Sequence, residues 1–204
     1  MLSEIITKFQ HLDQLIAWAG YAGMTAIVFC ETGLLAGFFL PGDSLLVAAG
    51  LVASQGKLNI LFLNLLLIAA AIVGDSVGYF IGYQIGPKLF KREDSFFFRK
   101  SHVERTHRFF EKHGGKTIIL ARFVPIVRTF APTVAGVGQM SYKKFLSYNV
   151  IGGILWVLSM TSIGYFLGRS VPNIEKHLHV VVAAVIFISF LPVFHEIYQA
   201  KKKK

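Results

Sequence analysis

The sequence predicts an all-α membrane protein, a single membrane domain of three to four transmembrane helices with two re-entrant helical hairpins and an N-terminal interfacial helix. Three observations lead there. The 204 residues are 54 % hydrophobic and only 16 % charged, with a mean hydropathy of +0.57, whereas a soluble domain carries about 25 % charged residues. The net charge of +10 is concentrated, nine of its ten units coming from residues 87–116 and 201–204. Two apolar stretches also combine charge with helix breakers. The apolar content excludes a disordered chain, and the single Cys30 excludes a disulfide scaffold. Nucleic-acid binding would require a soluble basic face interleaved with stacking aromatics, so the basic blocks are assigned to membrane topology and no nucleic-acid partner is expected.

The elements follow in order. Residues 1–13 place Leu2, Ile5, Ile6, Phe9 and Leu12 at helical spacing opposite Glu4, Lys8 and His11, the pattern of a helix lying in the membrane interface. Residues 14–30 are 17 uncharged residues, a borderline length against the roughly 20 that a crossing needs. Residues 31–55 carry Glu31, Gly33, Gly37, Pro41, Gly42, Asp43 and Gly50 and are read as the first re-entrant segment. Residues 58–87 form a crossing interrupted by Asp75. Residues 88–116 are a basic segment whose Ser101 and Glu104 form a capping box for an amphipathic helix ended by Gly114-Gly115.

Residues 117–140 carry Arg122, Pro125, Arg128, Pro132, Gly136 and Gly138 and are read as the second re-entrant segment. Proline removes a helix donor and clashes with the preceding turn, and a membrane tolerates freed backbone groups only where protein or water covers them. Residues 145–168 are 24 uncharged residues between Lys144 and Arg169, the clearest crossing. Residues 178–199 supply another, and residues 201–204 a basic tail. Basic flanks stay in the cytoplasm, which places residues 88–116 and the C-terminus inside. A full crossing at 117–140 would put the tetralysine outside.

Ser76-Val77-Gly78-Tyr79-Phe80-Ile81-Gly82 recurs as Ser162-Ile163-Gly164-Tyr165-Phe166-Leu167-Gly168. Each copy follows a re-entrant candidate, and the expected topology runs the two in opposite directions. That is the layout of an inverted repeat, a transporter-like architecture that builds a central site from broken helices. The glycine stripe Gly74, Gly78, Gly82 and Gly86 is read as a close-packing face.

Five charges fall within apolar segments: Glu31, Asp43, Asp75, Arg122 and Arg128. Each costs about 2.5–3.5 kcal/mol to insert, so such residues are usually functional. On an unbroken helix Arg122 and Arg128 would point about 240° apart; a break at Pro125 lets them converge as a guanidinium fork for a phosphate or carboxylate. Glu31 and Asp43 are candidates for proton uptake, because burial raises an unpaired carboxylate's proton affinity. Pro41, Gly42, Pro125 and Pro132 are the breakers expected to shape the site. Gly115-Lys116-Thr117 lacks the opening glycine and the strand of a P-loop, and His102, His107 and His113 are spaced wrongly for zinc on one helix face. Neither a metal nor a cofactor is expected.

Glu31-Thr32-Gly33, Phe39-Leu40-Pro41-Gly42-Asp43-Ser44, Gly74-Asp75-Ser76, Phe110-Glu111-Lys112-His113-Gly114-Gly115-Lys116, Ala121-Arg122-Phe123-Val124-Pro125-Ile126-Val127-Arg128-Thr129-Phe130-Ala131-Pro132 and Ala135-Gly136 form a pattern that resembles the DedA family. This family is also called the VTT or SNARE-associated family, and its bacterial members are inner-membrane proteins. The resemblance covers nearly the whole chain and is nearest the DedA subgroup.

It implies a multi-pass protein of the bacterial inner membrane, a transporter rather than an enzyme, that moves a lipid phosphate such as undecaprenyl phosphate in dependence on the proton-motive force. Protons and membrane lipids are the implied partners, and a homo-oligomer is left open. By the same resemblance, Arg122 and Arg128 match the family's essential arginine pair and Glu31 and Asp43 its acidic pair. Asp75 lies in a family motif as a candidate supporting residue. The alternatives are a phosphatidylethanolamine flippase or scramblase, and a proton-coupled ion antiporter supporting envelope homeostasis.

Overall fold

The computed structural model describes residues 20–34, 42–90 and 115–170. Within them the regular structure is helical: α1 at residues 20–33, α2 at Gly42–Ser54, α3 at Ile60–Phe90, α4 at Lys116–Ala121, α5 at Pro125–Val137 and α6 at Tyr142–Ser170. The expected interfacial helix at 1–13, Pro41, most of the basic segment 88–116, the crossing at 178–199 and the tail 201–204 lie outside the described residues.

Local chemistry sets the boundaries. After α2 the chain turns at Gly56, whose φ of 75° is costly for a residue with a Cβ. The Asn59 Oδ1 then accepts the amides of Leu61 (3.0 Å) and Phe62 (3.1 Å), capping the orphan donors at the start of α3. Asn59 is itself held by its own amide, which donates to the Tyr21 hydroxyl at 2.6 Å. The Tyr21 ring packs edge-on against Phe62.

In α3 the apolar window Ile60–Gly86 is 27 residues long, and α6 has 29. At 1.5 Å per residue both exceed the roughly 30 Å hydrocarbon thickness. Only a third of each apolar window is buried within the protein. Leu61, Leu65 and Val73 on α3, and Ile151, Ile163 and Phe166 on α6, are exposed, a surface suited to hydrocarbon rather than water.

The two breaker-rich segments resolve differently from their sequence boundaries. Glu31, Thr32 and Gly33 complete the last turn of α1, and α2 begins at Gly42. Residues 117–140 contain two helices separated at 122–124. The break sits just before Pro125 because proline forces the preceding residue out of helical conformation; Val124 is extended, with φ −114° and ψ 107°. Pro132, expected to break the chain, lies inside α5 without ending it. An interior proline forfeits one ladder bond, to the residue four before it, and α5 continues past it with Thr133 and Gly136 packed against α3.

The contacts group into two units. Of the described residues, the first contains 20–27, 42–67 and 160–170, while the second contains 28–34, 68–90 and 115–159. In the first, a Cβ on Gly50 of α2 would overlap the Thr161 carbonyl of α6, and one on Gly164 would overlap the Val47 carbonyl of α2. In the second, a Cβ on Gly82 of α3 would overlap the Thr133 carbonyl of α5, and one on Gly136 the Tyr79 carbonyl. Both copies of the seven-residue motif thus use their glycines to admit a short helix, α5 in one unit and α2 in the other. Around Tyr79 the second unit gathers Ile118, Ala135, Met140 and Phe145. The Tyr79 hydroxyl donates to the Met140 carbonyl, and its ring stacks on Phe145 at 4.6 Å.

Gly82→Ala is expected to lower thermal stability in detergent by about 1–3 kcal/mol, the usual cost of overpacking. Gly23→Ala in α1, where a Cβ meets nothing within 4 Å, should be neutral or stabilise by up to about 1 kcal/mol. Melting curves of the two variants check the contrast.

Candidate functional site

The second unit contains two buried ion pairs. Arg122 caps the C-terminal end of α4, its amide donating to the Ile119 carbonyl and that of Phe123 to the Leu120 carbonyl. The Arg122 Nη2 lies 2.5 Å from Asp75 Oδ2 on α3. It also donates to Asn149 Oδ1 on α6 and, at 3.4 Å, to the Ala71 carbonyl. Arg128, one turn into α5, donates from Nη2 to Glu31 Oε1 at the end of α1. Glu31 is 1 % exposed, Asp75 3 %, Arg122 2 % and Arg128 8 %, so each charge depends on a protein partner rather than water.

The break at 122–124 separates the two arginines along the chain. Arg122 and Arg128 lie over the same indole, their Cζ atoms 5.9 Å and 4.8 Å from the Trp156 ring centroid. Both distances are within cation–π range. The Arg122 side chain runs along α6 because Gly152 and Gly153 leave room. A Cβ at Gly152 would sit 3.0 Å from Arg122 Cδ, and one at Gly153 3.3 Å from Ile72 Cγ1. Asn149 is oriented by its other end, since Nδ2 donates to the Ile72 carbonyl at 3.0 Å and its oxygen therefore faces Arg122.

Of the residues singled out in the sequence, Glu31, Asp75, Arg122 and Arg128 are brought into these pairs. Asp43 is half-buried in the first turn of α2, in the first unit. Asp75, read only as a supporting residue, is the direct partner of Arg122. Sequence reasoning missed Asn149, Gly152, Gly153 and Trp156. Their signal was present: an amide within an apolar crossing, a tryptophan at mid-span rather than at the interface where it is usual, and spacings of three, four and seven that share one helix face. Among the described residues no three His, Cys, Asp or Glu side chains converge as a metal site requires.

Two helices long and apolar enough to cross a membrane, beside buried, mutually compensated charges and a helix break, are the features of a membrane protein with a polar centre. The VTT domain profile matches residues 40–166. The chain is 52 % identical over 197 residues to Protein DedA of Escherichia coli K12, covering 94 % of this chain and 90 % of that protein. It is 48 % identical over 201 residues to the uncharacterized membrane protein ML0287 of Mycobacterium leprae, covering 94 % and 89 %. It is 37 % identical over 150 residues to the inner membrane protein YqjA of Escherichia coli K12, covering 74 % and 68 %. No solved structure matches it. The chain belongs to the DedA family of VTT-domain membrane proteins.

Removing one member of a buried ion pair strands the other, at a cost of about 3–5 kcal/mol. Asp75→Leu should therefore destabilise the protein by about that amount, and Asp75→Leu combined with Arg122→Met should recover most of the loss. Thermal unfolding of both variants and the parent in one detergent measures the coupling.

Proposed function

We propose that this protein is a translocase for an anionic lipid phosphate, most readily undecaprenyl phosphate, in the bacterial inner membrane. The observation that carries the reading is the pair of buried guanidiniums converging on one ring, each neutralised by a carboxylate. A phosphate monoester, like a carboxylate, can accept two parallel N–H bonds from a guanidinium, so it can replace Glu31 at Arg128 without leaving a bare charge in the apolar interior. Once displaced, a buried carboxylate lowers its cost by taking up a proton, which couples lipid exchange to protons. Glu31 has this role at Arg128, and Asp43 is retained from the sequence pattern as the second proton-coupling residue.

Membership of a membrane-protein family associated with transport supports this reading over an enzyme, and the matching glycine contacts of the two motif copies support an inverted repeat with two re-entrant segments. The basic segment 88–116 and the tail are assigned to the cytoplasm by their charge.

The test is reconstitution in liposomes with a fluorescent polyprenyl phosphate, scored by transbilayer movement. The wild type should accelerate movement over empty liposomes, and folded protein without acceleration would overturn the reading. If phosphatidylethanolamine moves instead, the substrate assignment fails; if a cation dissipates a pH gradient in vesicles without polyprenyl phosphate, the protein is an antiporter. Arg128→Lys keeps the charge but loses the planar fork, and should lower translocation about tenfold or more, equivalent to about 1.4 kcal/mol, at normal membrane insertion.

A further inference from the structure

Trp156 occupies a position that the ion pairs alone do not explain. It is fully buried at the centre of α6, two turns after Asn149 and on the same face. One indole lies within 6 Å of both guanidinium carbons. Two like charges near one ring repel, and Asp75 and Glu31 offset this by hydrogen bonding, each occupying an Nη2 donor. The face of an aromatic ring counters positive charge through its quadrupole and uses no N–H group. Asn149 completes the arrangement for Arg122, fixing Nη2 with a neutral oxygen whose direction is set by the Ile72 carbonyl.

We infer that Trp156 is a positioning residue that holds Arg122 and Arg128 together for a phosphate monoester and thereby sets the affinity of the site, while Asn149 orients Arg122. This rests on the proposed lipid-phosphate reading and deepens it. A positioning role makes the ring matter for substrate affinity more than for the rate at saturation. A purely space-filling role would make any apolar side chain of similar size adequate and would leave the apparent KM unchanged.

The test uses two readouts in the full-length protein. In liposomes carrying graded amounts of polyprenyl phosphate, Trp156→Phe should raise the apparent KM about threefold and Trp156→Leu about tenfold, the maximal rate staying within about twofold, in line with the loss of one to two cation–π contacts. A wild-type KM in both variants, or a phenylalanine variant as impaired as the leucine one, would overturn the inference. If Trp156→Leu does not fold, the phenylalanine variant and the second readout decide.

For that readout, Trp18→Phe leaves Trp156 as the chain's single tryptophan. Farnesyl phosphate in detergent should change its emission saturably, farnesol should not, and Arg128→Leu should abolish the response. Unchanged emission in a protein that transports would overturn the inference. A saturable response in a protein that does not transport would uphold it and remove the translocase reading instead.

Discussion

A guanidinium inside an apolar helix bundle has no water to fall back on, and the second unit is arranged around that constraint. Arg122 and Arg128 each need an anionic partner, and the partners come from different helices: Asp75 from α3 and Glu31 from the end of α1. The pairs therefore tie α1, α3, α4 and α5 together, and α6 enters through Asn149 and Trp156. The backbone break before Pro125 is what allows two arginines six residues apart to share one ring. The glycines let the helices of this unit approach closely, as where Gly82 of α3 meets Thr133 of α5.

Buried ion pairs contribute little net stability, because desolvation offsets most of their attraction. Under the proposed function such pairs serve exchange rather than stability. An arrangement that costs little to exchange, one anion for another, is a use that fits the chemistry. Each pair is neutral in itself, and residues 87–116 and 201–204 account for most of the chain's net charge.

The charged residues of this centre were legible in the sequence because intramembrane charge is rare and the helix breakers beside it are conspicuous. The break at 122–124 follows directly from Pro125. The pairing was not legible. Glu31 and Arg128 lie 97 residues apart and Asp75 and Arg122 lie 47 apart, so which acid meets which arginine is decided by helix packing. Asp75 was undervalued for that reason. Asn149 and Trp156 were hidden because the segment 145–168 is uncharged and reads as a plain crossing. Pro132 points in the other direction: one proline is a strong local signal, but α5 continues past it, packed on α3 at Thr133 and Gly136.

The central claim is that a carboxylate of the protein and the phosphate of the ligand compete for Arg128. The affinity of Glu31→Gln for farnesyl phosphate, measured by equilibrium titration in detergent beside the wild type, tests it most directly. Competition predicts tighter binding in the variant, because the neutral amide releases the arginine that the carboxylate held. Binding equal to or weaker than that of the wild type, in folded protein, would contradict the account.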